Sequence, residues 1–437
     1  MLFLFYFVLM KRLYKILPLA LFLCLNTKAQ KDPAPVVKET IRENRAQEYR
    51  NLVNNIIGKN LSLPLNDSTE EYWQDAFYAM EVIRYKQPWV PGKIRMAFDS
   101  VDKRTAGFQR ALIEFIYTNY PIEFKAEATR LMKEPGSMKV FAMCAEYLLQ
   151  SSQGSAERKN IELLINNKMT TWKGTSSDLL IINELLASIA TREYSNYTET
   201  KKILHEVLSK RMLSGNIILY SIQRKNRNYP GIAIIRDAAG NFVTDSTGSL
   251  FSVPQLARSI TNLPFYLTNG NTPQGIFRMN GFEISKGLAI GPTENIQLQM
   301  PFETSPRFFL KDSSLIDTTW VPGLYQKMIP VDFSYLPALS QTYTASEIGR
   351  TEVIAHGTTV NTSYYRGQPY YPHTPTQGCL CTKEKWSEVT GSRTESDQQK
   401  LVDALKKAGG ANGYCIVIEI DDQQKAVTVS DILPYIK

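Results

Sequence analysis

Two short segments of the sequence contain residue types that suit nucleophilic catalysis. The first is Glu352-Val-Ile-Ala-His356-Gly357-Thr358, and the second, after a loop, is Thr376-Gln377-Gly378-Cys379-Leu380-Cys381. A thiol with an ordinary pKa of about 8.5 is a poor nucleophile at neutral pH until a neighbouring imidazole takes its proton. We therefore predict that Cys379 is a nucleophile for acyl transfer and that His356 is its base.

The residue before Cys379 favours a sharp turn that exposes the sulfur. Gly378 has no Cβ, so the backbone can bend there and bring the sulfur and nearby N–H groups toward one substrate carbonyl. The amides of Gly378 and Cys379 could then bind the developing oxyanion, a contribution of several kcal/mol when the donors are preorganised.

A third segment, Thr272-Pro-Gln-Gly275-Ile-Phe277, lies upstream and leads into a predicted strand. The order Thr-Pro-x-Gly-x-Phe, then His-Gly-Thr, then Ser/Thr-x-Gly-Cys resembles the catalytic domain of bacterial L,D-transpeptidases. The resemblance covers about residues 215–437, is carried by these three motifs, and does not extend to the rest of the chain.

The resemblance implies a chemical role for several residues. Cys379 would be the nucleophile and His356 its base, while Thr376, Gly378 and the Cys379 amide would shape the nucleophile loop and the oxyanion site. The family cleaves peptidoglycan stem peptides after their third residue, between the L-centre of a diamino acid and D-alanine. An amine of a second stem then resolves the acyl-enzyme and forms a cross-link. The implied fold is a β-sandwich with a curled sheet, in which a backbone carbonyl orients the histidine.

Two positions beside Cys379 depart from the family pattern. Gln377 stands where a second histidine is common, and Cys381 stands where arginine or asparagine is common. Gln377 can still form hydrogen bonds and is not the base, so we expect the chemistry to survive. With cysteine at position 381, the arginine or asparagine that would anchor the loop or the substrate is missing. A disulfide between Cys381 and Cys415 is an alternative use of this cysteine in an oxidising compartment.

The loop over residues 358–375 is long and rich in tyrosine. We predict that it forms a lid or one wall of a substrate groove, with Arg366 meeting a carboxylate of the stem. A packed surface loop is the alternative. The predicted groove residues are Gly357, Thr358, Tyr364, Tyr365, Arg366 and Tyr371.

The composition excludes several classes of protein. With 437 residues, 43% hydrophobic and 21% charged, the chain is neither collagen-like, disordered nor a multi-span membrane protein. Its 3 histidines leave little room for a histidine-rich metal centre. No phosphate-binding glycine loop occurs. We predict no metal and no cofactor.

The first 29 residues predict an export signal. Counted from Met10, an alternative start, a basic region precedes the apolar run 16–25, and Thr27-Lys28-Ala29 provides a cleavage pattern. An uncleaved anchor is the alternative. Cleavage after Ala29 would lower the net charge from +8 to +4, because four basic residues and no acidic one are removed. We therefore expect a periplasmic or cell-envelope protein that contacts the membrane only through this signal and does not bind nucleic acid.

The remaining chain changes its periodicity near residue 214. Residues 36–213 have helical spacing with a weak 33-residue repeat, which predicts helical hairpins in a short solenoid or a bundle and offers a surface for a protein partner. Residues 215–437 predict short strands in a mostly-β domain, either a sandwich, as the resemblance implies, or a curled barrel. The whole chain is thus expected to be an L,D-transpeptidase with a helical domain. An L,D-carboxypeptidase using the same site and a non-catalytic wall-binding or assembly protein are the alternatives.

Overall fold

A computed structural model of the chain describes residues 34–152, 154–193, 197–330 and 337–436. The predicted signal segment 1–29, with its alternative start at Met10, lies outside these residues. Within them, no helix is both long enough and apolar enough to cross a membrane.

The amino-terminal part is helical, as the periodicity predicts. Side-chain caps begin two of its helices: the Thr105 hydroxyl accepts the N–H of Phe108 at 3.2 Å, and the Ser137 hydroxyl accepts that of Val140 at 3.3 Å. The helices are α1 (Arg42–Asn51), which continues as a π-helix (Leu52–Lys59) and a short α-helical turn (Asn60–Ser62), α2 (Glu70–Val82), α3 (Val90–Asp99), α4 (Ala106–Asn119), α5 (Lys125–Lys133), α6 (Met138–Ser151), α7 (Ser155–Thr171), α8 (Ser176–Glu193) and α9 (Tyr197–Val207).

The carboxy-terminal part contains a closed barrel of eight strands; of the sandwich and the curled barrel that the sequence allows, the observed sheet has the form of a barrel. Around the ring the strands follow the order β1-β10-β4-β5-β6-β7-β3-β2, and β8 and β9 form a separate pair. The strands are β1 (Ile218–Gln223), β2 (Gly231–Arg236), β3 (Val253–Leu256), β4 (Gly275–Glu283), β5 (Asn295–Gln299), β6 (Ile354–His356), β7 (Leu380–Thr382), β8 (Glu384–Trp386), β9 (Arg393–Ser396) and β10 (Tyr414–Glu419). The remaining helices are α10 (Pro306–Leu310), α11 (Pro322–Gln326), α12 (Gln341–Glu347), α13 (Asp397–Lys407) and α14 (Val429–Ile432).

The barrel closes around one apolar cluster. All eight ring strands contribute to it, including Leu219 of β1, Ala355 of β6 and Leu380 of β7, so this cluster fills the interior. Helix α13 adds Leu401 and Leu405 to the same cluster. Side chains alternate along a strand, so the strand residues on either side of these interior residues point outward. A second cluster covers the outer side of β1, β2, β4 and β10.

Two segments whose residue types favour strands, 242–244 and 426–429, do not form strands. Residues 242–244 make only isolated bridges, to Arg236 and Leu250. Residues 426–429 do not form a strand, because Thr428 caps α14 and the Asp431 carboxylate accepts the Thr428 N–H at 2.9 Å.

The packing crosses the boundary that the sequence predicts near residue 214. Ile203 and Val207 of α9 pack on the outside of the barrel. Conversely, Leu263 and Leu267, which follow β3, are buried in the core of the helices. The segment before α1 also reaches the barrel side of the chain, where the Val37 N–H donates to the Gly391 carbonyl at 2.9 Å. The two cores therefore interlock.

We expect Leu267→Ala to lower the free energy of unfolding by about 2–5 kcal/mol, because it leaves a cavity where the barrel segment enters the helical core. Leu267 is fully buried, whereas Leu433, the matched control, is 53% exposed. Leu433→Ala should change the same quantity by less than about 0.5 kcal/mol. Urea denaturation measures both. Equal losses for the two variants would contradict the interlocked packing.

Candidate functional site

Strands β6 and β7 bring the predicted base and nucleophile to one part of the barrel wall. The strands are parallel, with Ala355 opposite Leu380 and His356 opposite Cys381. Counted back from this register, Cys379 lies beside Ile354, two positions before His356. Residues two positions apart on paired strands have Cβ atoms about 7–8 Å apart, which is within reach of a long side chain.

The Cys379 thiol is half-buried and protonated at neutral pH. Its sulfur lies 3.6 Å from the carbonyl oxygen of Glu352, to which the thiol donates. Burial raises the pKa of Cys379 to about 11, against the opposing influence of the Ile354 N–H and the Arg350 charge. The two predicted catalytic side chains are not hydrogen-bonded to each other in this structure.

His356 is held in the tautomer that a base requires. Its Nδ1 lies 2.5 Å from the carbonyl oxygen of Gly357. A carbonyl only accepts hydrogen bonds, so Nδ1 carries the hydrogen and Nε2 keeps its lone pair. Burial lowers the pKa of His356 to about 4, so the ring is neutral at pH 7. This contact has the form of the orienting backbone carbonyl that the resemblance implies.

Hydrogen bonds within and across the predicted motifs shape the nucleophile loop. The Thr376 hydroxyl donates to the Cys379 carbonyl at 2.9 Å and accepts the Gly378 N–H at 3.0 Å. The hydroxyl of Thr272, from the upstream motif, donates to the Gly378 carbonyl at 2.8 Å. Because the Gly378 N–H is already bonded to Thr376, the Cys379 N–H is the better of the two predicted oxyanion donors.

Arg350 is a residue of this site that the sequence analysis missed. It is 7% exposed, and its guanidinium donates to the carbonyls of Gly270 at 2.9 Å, Asn271 at 2.8 Å and Phe265. A Cβ on Gly378, whose φ is +118°, would lie 2.3 Å from the Arg350 Nη2. Arg350 therefore anchors the segment 265–271 beside the nucleophile loop, and its guanidinium occupies the space that a Cβ at position 378 would need. A single arginine before a strand gives no sequence signal for this role.

Glu384 is a second missed residue, and it holds the turn after His356. Its carboxylate accepts the Thr358 N–H at 3.0 Å and the Ser396 hydroxyl at 2.5 Å. A Cβ on Gly357 would lie 2.3 Å from the same carboxylate. Gly357 thus leaves space for Glu384. Thr358 is 3% exposed, so it does not line an open groove.

The tyrosine-rich loop is packed more closely than predicted. Tyr365 is 1% exposed and its ring lies 5.8 Å from that of Tyr370, so Tyr365 belongs to a small core and does not line a groove. Tyr364 is half-buried, with its ring 6.2 Å from that of Tyr49 in the helical domain. Arg366 and Tyr371 are the exposed members of the predicted groove set.

The helical domain lies directly against the nucleophile loop. The Gln377 amide donates to the Tyr78 hydroxyl at 3.1 Å, and the Asn269 amide donates to the Glu114 carboxylate at 3.2 Å. The position that departs from the family histidine is thus used as a contact between domains. One side chain of α2, Tyr78, therefore contacts the nucleophile loop directly.

The other described cysteines, Cys144, Cys381 and Cys415, are buried. Cys415 faces the barrel interior, while Cys381 faces outward and lies 3.7 Å from the Thr374 hydroxyl. Their strands, β10 and β7, are not neighbours in the ring. These positions contradict a Cys381–Cys415 disulfide. Among the described residues, no group of three or more His, Cys, Asp or Glu side chains could hold a metal ion.

A strained backbone alone usually costs about 1–3 kcal/mol. We expect Gly378→Ala to lower the free energy of unfolding by more than this amount, because the new methyl also meets the Arg350 guanidinium. Gly349→Ala is the matched control, since Gly349 has a φ of +96° but open space around it. Urea denaturation gives the stabilities, and iodoacetamide alkylation followed by peptide mapping gives the Cys379 reactivity. Only Gly378→Ala should slow the alkylation. An equal effect of both variants would contradict crowding at Arg350.

The raised pKa of Cys379 predicts the pH dependence of its alkylation. A raised pKa keeps the thiol protonated, so the rate should rise about tenfold for each pH unit from 7 to 10 and level off only near pH 11. An ordinary thiol with a pKa of about 8.5 levels off above about pH 9.5. Iodoacetamide rates measured across this range test the difference, with Cys379→Ala as the background. A plateau near pH 9 would show that the thiol is not shielded as described.

Comparison of the chain with known proteins found no relative. No family model, no curated protein and no solved structure matches the chain. The interpretation of the site therefore depends on the residues and contacts of this chain.

Proposed function

We propose that this protein is an exported cell-wall enzyme that performs cysteine acyl transfer on peptidoglycan stem peptides, as an L,D-transpeptidase. The observation that carries the proposal is the arrangement of His356: Nδ1 is bound to the Gly357 carbonyl, Nε2 is left with a lone pair, and the strand of His356 pairs with the strand that follows Cys379. The three motifs supply the substrate class, and residues 1–29 supply the proposed periplasmic or cell-envelope location.

The resting pair is a neutral thiol and a neutral imidazole. The pKa of Cys379 is about 11 and that of His356 is about 4, so a thiolate–imidazolium pair is not the stable form before substrate binds. Proton transfer must therefore accompany attack on the substrate. A substrate carbonyl that enters the site must also displace the contact between the thiol and the Glu352 carbonyl.

In the first half-reaction, the Cys379 sulfur attacks the carbonyl carbon of the diamino acid while His356 Nε2 takes the thiol proton. The carbonyl oxygen becomes negative and is stabilised by the Cys379 N–H. The C–N bond to D-alanine then breaks, and the imidazolium returns the proton to the leaving amine. The product is a thioester between Cys379 and the stem.

In the second half-reaction, an amine of another stem attacks the thioester carbonyl and gives a proton to His356 Nε2. The C–S bond breaks, and the thiolate takes the proton back from the imidazolium. The new C–N bond is the cross-link. Water in place of the amine would give a tripeptide, the outcome of an L,D-carboxypeptidase.

We expect a carbapenem to form a covalent adduct with the wild-type chain and no adduct with Cys379→Ala, because among the described cysteines Cys379 alone has a partly exposed sulfur and lies in the nucleophile loop. Intact-mass spectrometry measures the adduct. Cys381→Ala, which removes a buried sulfur two residues away, is the matched control and should retain the adduct. His356→Ala should slow turnover by about 10²–10⁴-fold, as expected for loss of a general base.

Incubation with tetrapeptide muropeptides then separates the reactions. Cross-linked dimers indicate transfer, and tripeptides alone indicate hydrolysis. An adduct that persists in Cys379→Ala, or a reduced wild-type chain without adduct or turnover, would count against an enzymatic role and favour a non-catalytic wall-binding protein.

A further inference from the structure

A cationic cleft lies on the outer wall of the barrel. Its volume is about 330 Å³, and small-molecule sites usually measure about 300–1,000 Å³. Strands β5 and β6 lie between β4, which carries one side of the cleft, and β7, which follows Cys379. The cleft shares no residue with the surroundings of Cys379 described above. The residues that line it are Arg278, Ser305, Arg307, Phe308, Lys311 and Ser313.

Arg278 of β4 is a fixed cation of this cleft. The residue is 4% exposed, and its Nη1 donates to the carbonyls of Met279 and Gly413, both at 2.7 Å. Its Nη2 donates to the amide oxygen of Asn412, and its Nε has no hydrogen-bond partner among the described residues. All of these acceptors are neutral, and a guanidinium stays protonated in proteins. The positive charge of Arg278 is therefore held in place without a counter-ion.

Lys311, the residue after α10, brings a second positive charge to the same place. Its Nζ donates to the carbonyl of Asn412 at 2.7 Å and to the amide oxygen of Asn216 at 2.8 Å. Both cations thus bind Asn412. Both also lie over one aromatic ring, because the Arg278 Cζ and the Lys311 Nζ are 5.6 Å and 5.7 Å from the ring centroid of Tyr414. An ammonium has three N–H donors, so one donor of Lys311 is left for a ligand.

The described residues supply no carboxylate to these cations. The lining of the cleft contains a third cation, the exposed Arg307, and no acidic side chain. Asp312, beside Lys311 in the sequence, directs its carboxylate to the N–H and the hydroxyl of Ser314, at 3.0 Å and 2.6 Å. Within the described part of the chain, Arg278, Arg307 and Lys311 form no ion pair. Like charges held close together repel each other, and a bound anion would remove that repulsion.

We propose that this cleft binds a phosphate group, either of a soluble compound or of a lipid headgroup. A phosphate monoester carries a charge of about −1.5 to −2 at neutral pH and three strong acceptor oxygens, so it matches a triply cationic cleft better than a singly charged carboxylate does. Arg307 and Lys311 would donate to its oxygens, with the hydroxyls of Ser305 and Ser313 as further donors. Arg278 would supply a fixed positive charge beside them. The inference does not depend on the proposed acyl transfer.

Titration of the full chain with inorganic phosphate at neutral pH, followed by calorimetry, tests the proposal. We expect Arg307→Gln with Lys311→Gln to weaken phosphate binding about 10- to 100-fold, because two charge-assisted contacts are lost. Lys286→Gln with Lys407→Gln is the matched control, since it removes the same charge from two exposed positions of the carboxy-terminal part that do not line the cleft. The control should leave the affinity unchanged.

A second variant keeps the test independent of stability. The Arg307 side chain is exposed and forms no hydrogen bond among the described residues, so Arg307→Gln alone leaves the packing intact. It should still weaken phosphate binding, by about tenfold. A cooperative urea transition at the wild-type midpoint shows that this variant is folded. An unchanged affinity of Arg307→Gln would remove this residue from the site and contradict the proposal.

Vesicles of phosphatidylcholine with phosphatidic acid distinguish the two sources of the phosphate. Vesicle binding that inorganic phosphate displaces indicates a lipid headgroup, whereas binding of inorganic phosphate without vesicle binding indicates a soluble ligand. The proposal is overturned if the wild-type chain binds neither probe, if the double variant and its control bind phosphate equally well, or if acetate binds as tightly as phosphate. None of these outcomes depends on whether the chain cross-links stem peptides.

Discussion

The parallel pairing of two three-residue strands is the constraint on which the candidate site depends. With Ala355 opposite Leu380, the small and large apolar side chains enter the barrel interior together. The same register places His356 two positions from Cys379. A slip of one residue would exchange the inner and outer faces and place His356 among the apolar side chains of the interior. The buried interior therefore specifies the geometry of the polar site.

Short strands need support from side chains, and buried polar groups provide it here. Arg350 binds three carbonyls in the segment 265–271, and Glu384 binds the turn after His356. Each charged group lies against a glycine, Gly378 or Gly357, whose missing Cβ leaves the space. Burying a charge without partners would be costly, so these contacts hold both backbone segments firmly. The loops that carry His356 and Cys379 are thus fixed by electrostatics as well as by the sheet.

The helical domain and the barrel cannot be treated as independent units. Leu263 and Leu267 of the barrel segment complete the helical core, and α9 completes the outer face of the barrel. The contact between Gln377 and Tyr78 then extends this interlocking to the nucleophile loop. If the proposed acyl transfer is correct, the helices are part of the environment in which the substrate reacts. A second role as a surface for a protein partner stays a prediction from the repeat pattern.

Local residue patterns were sufficient to predict the helical and strand-rich parts and the candidate pair Cys379 and His356, because periodicity and short motifs are properties of neighbouring residues. The closed barrel, the anchors Arg350 and Glu384, and the burial of Thr358 and Tyr365 could not be predicted in this way. Arg350 contacts carbonyls about 80 residues earlier in the chain, and Glu384 contacts the turn after His356 from the following strand. The packing of distant segments decides which charged side chain is buried and which backbone groups it contacts. The sequence alone thus determined the chemical groups of the candidate site, and only the tertiary structure decided their partners, since the free energy of a buried polar group depends on the contacts that folding brings to it.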